Sequence, residues 1–99
     1  ALSGSGPAYV FYLIEAMVEA GAQMGLSAAA SRRLAQETIA GAAQLVMQSE
    51  ESPATLRERV TSKGGTTHAA ITSLDAGGVK AAFVRALHAA KTRAEELGR

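Results

Sequence analysis

The segment from Ala8 to Met24 limits most strongly how this chain can fold, because nearly every residue in it is apolar. Its only charged side chains are Glu15 and Glu19, which lie four residues apart and therefore share one stripe of a helix. A helix that is apolar over most of its circumference must be covered on most sides. A chain of 99 residues is too short to provide that cover. We therefore expect a second copy of the chain to do so, and we expect the glutamate stripe to be a solvated face rather than a catalytic pair.

Composition favours helices along the rest of the chain. Alanine, the best helix former, supplies 22 of the 99 residues, and aromatic residues make up only 4%. We therefore predict an all-α fold, a helical bundle in one domain over residues 1–99. The absence of cysteine excludes disulfides and thiolate sites, and a net charge of +1 lacks the basic excess of a nucleic-acid binder. No signal peptide or long uncharged apolar run is present, so we expect a cytoplasmic protein that binds neither nucleic acid nor membrane.

Start and stop signals divide the chain into five predicted helices. Gly25 is a plausible helix stop, Ser27 a plausible N-cap, and Ser52-Pro53 a plausible helix start, because proline is tolerated at a first helical position. The predicted helices run over 7–24, with Pro7 at the first helical position, and over 28–49, 53–60, 68–76 and 79–97. Gly41, inside the second helix, marks either a close helix–helix contact or a tolerated defect, and we favour the contact.

The segment from Ser62 to Thr67 is the most unusual stretch, with two adjacent glycines and three hydroxyl side chains leading into a helix. Paired glycines let backbone N–H groups converge, and a helix N-terminus adds unpaired donors and a positive dipole end. Such a segment suits a small anion such as a carboxylate. The alternative is an ordinary turn in which Thr66 or Thr67 is the N-cap. The spacing does not fit a nucleotide P-loop, because Lys63 precedes the glycines and no strand is predicted.

Other polar residues carry weaker signals. His68 and His88 lie twenty residues apart without carboxylates at metal-ligand spacing, so we predict no metal site. His68 is expected at the surface. The basic residues of the last predicted helix are offset by Glu95 and Glu96, which predicts solvated positions and salt bridges rather than a basic patch.

Three motifs, in order along the chain, resemble the C-terminal half of pyrroline-5-carboxylate reductases. They are Leu2-Ser3-Gly4-Ser5-Gly6-Pro7-Ala8-Tyr9, then Met24-Gly25-Leu26, then Val60-Thr61-Ser62-Lys63-Gly64-Gly65-Thr66-Thr67. The resemblance implies an enzyme that reduces 1-pyrroline-5-carboxylate to proline with NADPH or NADH. It also implies that an N-terminal Rossmann domain, absent from this chain, holds the dinucleotide. The helical half would interlock with a second copy as a homodimer, and the resemblance leaves open whether such dimers assemble into a larger oligomer.

The resemblance also implies roles for individual residues. Thr67 is expected to hydrogen-bond the ring nitrogen, and is the catalytic candidate. Val60 is expected to pack near the nicotinamide. The backbone amides of four further residues are expected to hold the substrate carboxylate: Ser62, Gly64, Gly65 and Thr66. Glu50 is a substrate-binding candidate as an acidic residue close to the site.

One residue departs from the family pattern. Lys63 stands where the family usually has proline, which leaves the turn looser and adds a positive charge. We expect no turnover by this chain alone. The alternative function is a non-catalytic helical oligomerisation module. A helix-turn-helix nucleic-acid binder is disfavoured, because no basic recognition face is present.

Overall fold

The structure, a computed structural model, describes residues 1–98, so Arg99 at the end of the expected domain lies outside the described residues. Those residues form five helices and no strand, which confirms the all-α prediction. The helices are α1 (Gly6–Gln23), α2 (Ala28–Gln48), α3 (Pro53–Arg59), α4 (Thr66–Ala76) and α5 (Val79–Leu97).

The predicted starts and stops are confirmed where a local signal exists. The Ser27 hydroxyl accepts a hydrogen bond from the Ala30 N–H at 3.1 Å and caps α2. Gly25 ends α1 with a φ of +94°, while the Leu26 N–H donates to the Gly21 carbonyl at 2.9 Å. This pattern is a Schellman motif, in which glycine adopts the left-handed conformation. Helix α4 begins two residues earlier than predicted, at Thr66.

The described residues fall into two compact units, which we describe separately. The first spans Gly6–Ser52 and is a hairpin of α1 and α2. Its closest contact lies between small residues. A Cβ atom built at Gly21 would meet the Ser31 hydroxyl at 2.2 Å, and Ser31 and Ala35 are only 4% and 3% exposed. The absence of a side chain at Gly21 therefore sets how closely the two helices approach.

The contact that we favoured at Gly41 is absent within the described chain. No atom lies within 4 Å of a Cβ built at Gly41, and the residue is exposed. The apolar face of α1 is also uncovered, since Phe11, Tyr12 and Leu13 are 63%, 77% and 49% exposed. The first unit thus buries a narrow seam of small residues and leaves its large apolar side chains accessible.

The second unit combines residues 1–5 with the chain from Pro53 onward and contains α3, α4 and α5. Helices α4 and α5 are in contact, joined through Gly78, whose φ is +67°. On α5, Lys91 pairs with Glu95 at 3.7 Å, as the sequence predicted for this helix. Within the described residues, no helix combines the length and apolar character needed to cross a bilayer.

Candidate functional site

The segment that links α3 to α4 contains a tight β-turn over residues 62–65. The Gly65 N–H donates to the Ser62 carbonyl at 3.0 Å, and Gly64 has a φ of +77°. Lys63, like every other described non-glycine residue, has a negative φ. These signs identify a type II turn, with Lys63 at the second position and Gly64 at the third. A side chain at Gly64 would be strained, so the turn requires this glycine.

The approach to the turn is fixed by hydrogen bonds at the end of α3. The Val60 N–H donates to the Arg57 carbonyl at 3.2 Å, and the Thr61 N–H to the Glu58 carbonyl at 3.1 Å. The Thr61 hydroxyl also donates to the Arg57 carbonyl, at 2.5 Å. Sequence reasoning missed this bond, although threonine beside a helix end is a known signal for local side-chain-to-backbone bonding.

The first turn of α4 presents unpaired backbone donors. The first helical bond is made by Ala69, whose N–H donates to the Gly65 carbonyl at 3.1 Å. Within the described residues the amides of Thr66, Thr67 and His68 therefore have no acceptor. No acidic side chain lies in this turn to satisfy them. Unpaired amides and the positive end of the helix dipole are together suited to a small anion, as the sequence predicted, and its binding here stays a prediction.

Gly65, rather than a threonine, is the N-cap of α4. It has an extended backbone, with φ −86° and ψ −178°, and no side chain caps the helix. The prediction that Thr66 or Thr67 is the N-cap is therefore wrong, while the choice between an ordinary turn and an anion-binding turn stays open at this point. The amide of Gly65 is used within the turn. A Cβ at Gly65 would lie 3.2 Å from the Ser62 carbonyl oxygen, so the tightness of the turn favours glycine here.

The two threonine hydroxyls are available for other partners. Neither Thr66 nor Thr67 makes a side-chain hydrogen bond within the described residues. Thr66 is exposed, whereas Thr67 is half-buried. The Thr67 hydroxyl thus belongs to the same helical turn as the unpaired amides.

The other predicted site residues are less closely tied to this turn. Val60 follows α3 and is 67% exposed, so its side chain is accessible to an apolar partner. Glu50 is exposed and belongs to the first unit, so its role stays a prediction. Ser62 accepts the turn's hydrogen bond, and His68 is exposed as expected. The described residues contain no cluster of three or more metal-ligating side chains.

A groove of about 640 Å³ lies on the first unit between α1 and α2. Phe11, Ile14 and Val18 give it an apolar lining, and Glu15 and Glu19 contribute to its walls. Both glutamates are exposed, as expected of a solvated stripe. The groove has the character of an association surface rather than of a catalytic cleft.

Comparison with known proteins assigns this architecture to a family. Residues 1–97 match the sequence model described as pyrroline-5-carboxylate reductase dimerisation. The chain is 53% identical over 97 residues to a pyrroline-5-carboxylate reductase of Pseudomonas aeruginosa, covering 98% of the chain and 36% of that protein. It is 44% identical over 98 residues to the enzyme of a Synechocystis species, covering 99% of the chain and 37% of that protein.

Two solved structures share the fold. A pyrroline carboxylate reductase of Plasmodium falciparum, solved with NADP bound, has a TM-score of 0.95 at 34% identity, with 99% of this chain and 40% of that one covered. A pyrroline-5-carboxylate reductase of Coxiella burnetii has a TM-score of 0.92 at 47% identity, with 97% and 36% covered. The chain thus spans little more than a third of the length of these relatives. It belongs to the pyrroline-5-carboxylate reductase family, as that family's dimerisation domain.

Proposed function

We propose that this chain supplies the dimer interface and the carboxylate-binding turn of a pyrroline-5-carboxylate reductase. The reaction is reduction of 1-pyrroline-5-carboxylate to proline with NADPH or NADH, the last step of proline biosynthesis. One observation carries the proposal: unpaired amides and a free threonine hydroxyl lie together in the first turn of α4, in a chain of this family.

The amides of Thr66, Thr67 and His68 would bind the substrate carboxylate. Hydrogen bonds from backbone N–H groups to an ionised acceptor are among the stronger hydrogen bonds in proteins, and the helix dipole adds to them. Ser62, Gly64 and Gly65 act mainly through turn geometry. The turn positions the start of α4, and two residues without side chains leave room for the ligand.

The Thr67 hydroxyl would donate a hydrogen bond to the ring nitrogen of the substrate. A carboxylate held by the amides and a nitrogen held by Thr67 fix a small ring at two points. Fixing the ring at two points orients its C=N carbon toward one side, and orientation is a large contribution to catalysis of a reaction between two bound molecules. Thr67 is therefore the proposed catalytic residue of this domain.

The dinucleotide would be held for the most part outside this chain. Val60 fits a flat apolar ring, since its branched side chain is largely exposed next to the turn. The described residues contain no strand and hence no glycine-rich strand-to-helix turn for a diphosphate. When bound, NADPH or NADH supplies the hydride. The Plasmodium relative, solved with NADP bound, supports this class of cofactor.

The dimer would form through the exposed apolar face of α1 and the groove beside it. Large side chains such as Phe11 and Tyr12 are more than half exposed, and exposed apolar patches commonly mark association sites. A match to a dimerisation family supports a homodimer. Assembly of dimers into larger oligomers, and a cytoplasmic location, complete the proposal. The same exposed face is what a purely structural association module would need, so dimerisation alone does not separate the two functions.

Proline formation by the full-length product of the gene distinguishes them. We expect Thr67→Ala to lower kcat/KM for 1-pyrroline-5-carboxylate by about 10- to 100-fold, the loss of one hydrogen bond to a reacting group. Thr67→Ser, which keeps the hydroxyl, should retain most activity. Thr72→Ala, on the exposed surface of the same helix, is the matched control and should behave as wild type.

A second variant tests the turn rather than the hydroxyl. Gly65→Val places a side chain 3.2 Å or less from the Ser62 carbonyl and should distort the turn and reduce activity further. Unchanged activity in both Thr67→Ala and Gly65→Val would show that this segment does not bind the substrate. An absence of activity in the wild-type product would favour the association module.

A further inference from the structure

Lys63 occupies a particular place in the turn. It is the second residue of the type II turn, three residues before Thr66, where the unpaired amides begin. Successive Cα atoms are about 3.8 Å apart, so its Cα lies at most about 11 Å from that of Thr66. The lysine side chain is long and flexible enough to shorten that distance by several ångströms.

Lys63 is also isolated in the sequence from other side chains that carry a full charge. Apart from this lysine, no Asp, Glu, Lys or Arg lies between Arg59 and Asp75, and His68 is the one other titratable side chain in that stretch. The lysine is exposed, and within the described residues its ammonium group has no carboxylate partner. Its own N–H is likewise unused. No side chain among the described residues therefore neutralises the positive charge of Lys63.

The positive charge of Lys63 and the unpaired amides of α4 both attract a negatively charged ligand. The first turn of α4 carries the positive end of a helix dipole and no acidic side chain. Because the lysine side chain can extend several ångströms toward α4, its ammonium group is able to come within one Debye length, about 8 Å at physiological ionic strength, of an anion bound at the amides of Thr66 and Thr67. An ammonium group at that range attracts a carboxylate without needing to contact the reacting atoms.

We propose that Lys63 is an electrostatic binding residue that raises the affinity of the turn for the substrate carboxylate. This inference rests on the proposed function of the turn, and it adds one residue that determines the affinity of the turn for substrate. Lys63 takes no part in hydride transfer. Its effect falls on substrate capture, and hence on KM, while kcat is set by the groups that orient the ring.

Steady-state kinetics of the full-length product test this role. Lys63→Gln removes the charge with little change of size and should raise KM for 1-pyrroline-5-carboxylate by about 2- to 5-fold, the range of an exposed charge interaction. The value of kcat should stay within error. Lys63→Arg keeps the charge and should restore the wild-type KM. Lys91→Gln makes the same charge change on α5 and serves as the control.

The dependence of KM on ionic strength is a second test. A purely structural role of Lys63 would not change this dependence. Added NaCl should raise the KM of the wild type and of Lys63→Arg, and should have a smaller effect on Lys63→Gln, because salt screens the attraction. The inference is overturned if Lys63→Gln keeps the wild-type KM and salt dependence while Thr67→Ala still loses activity. If Thr67→Ala and Gly65→Val are both fully active, the proposed function fails and this inference with it.

Discussion

The loop after α1 and the turn before α4 both depend on a glycine with positive φ, yet they leave their amides in opposite states. At Gly25, with φ +94°, the neighbouring amides of Met24 and Leu26 are bonded to carbonyls of α1. At Gly64, with φ +77°, the turn closes through Gly65, but the next three amides have no acceptor in the part of the chain that the structure describes. A helix C-terminus closed by glycine satisfies its own backbone, whereas an N-terminus capped by glycine has no side chain to do so. The second arrangement is the one suited to a ligand.

The two regions also differ in the side chains that they expose. The α1–α2 hairpin exposes large apolar groups and buries small ones. The turn exposes hydroxyl groups and one positive charge. The first surface favours another protein surface, and the second favours a small polar anion. The predictions below test each side of this contrast, beginning with the largest effect.

The largest effect is expected for a charge on the exposed face of α1. Phe11→Asp should weaken dimerisation by at least about 100-fold. A buried phenylalanine contributes about 1.5 kcal/mol or more, and in a two-fold dimer the loss occurs twice. Sedimentation of the chain over a range of concentrations would measure the shift. Gln23→Asp, at the last residue of the same helix and outside the lining of the groove, should leave the dimer intact.

A smaller effect is expected at the seam of the hairpin. Gly21→Ala places a Cβ 2.2 Å from the Ser31 hydroxyl and 2.8 Å from its Cβ, so the helices must separate or Ser31 must move. The cost of overpacking exceeds the gain in helix propensity, and we expect a net loss of about 1–2 kcal/mol in the free energy of unfolding. Chemical unfolding at one fixed protein concentration would measure it.

The partner of Gly21 gives the matched test. Ser31→Ala should be neutral or slightly stabilising, since the buried Ser31 hydroxyl has no hydrogen-bond partner among residues 1–98. In the double variant Gly21→Ala with Ser31→Gly, removal of the second side chain should recover part of the loss. Additive effects of the two substitutions would mean that the hairpin does not depend on this contact.

The smallest effect is expected at Lys63. Proline is favoured at the second position of a type II turn, and the Lys63 N–H makes no hydrogen bond that proline would remove. Lys63→Pro should therefore stabilise the fold by about 0.4–1 kcal/mol through the unfolded state. The same variant should raise KM as Lys63→Gln does. A destabilised Lys63→Pro protein would contradict the turn type.

The sequence predicted those features that depend on neighbouring residues. Ser27 caps α2 and Gly25 ends α1 as expected, because each signal acts within one helical turn. The start of α4 was placed two residues late, since Gly65 caps the helix without a side chain to mark it. Gly64 and Gly65 form the tight turn that the adjacent glycines predict, while their part in binding an anion stays a prediction. Which amide donates the hydrogen bond that closes the turn depends on backbone angles, and composition does not determine these angles.

Contacts between helices could not be predicted from the sequence. Gly21 and Gly41 are both helical glycines, and Gly41, among alanines, had the better local signal for a contact. The contact occurs at Gly21, because the short loop brings Ser31 opposite it. Gly41 has no neighbour within the described chain. A glycine's packing role depends on what the chain places across from it, and a single sequence does not carry that information.

Amide NMR of the full-length product, titrated with proline, tests the central contrast most directly. Proline is the product of the proposed reaction and carries the same carboxylate and ring nitrogen positions as 1-pyrroline-5-carboxylate. We predict that the amide resonances of Thr66, Thr67 and His68 shift on titration, while those of Met24 and Leu26, already bonded within the hairpin, stay in place. Saturable shifts elsewhere, with the three α4 amides unmoved, would contradict the assignment of this turn as the carboxylate site.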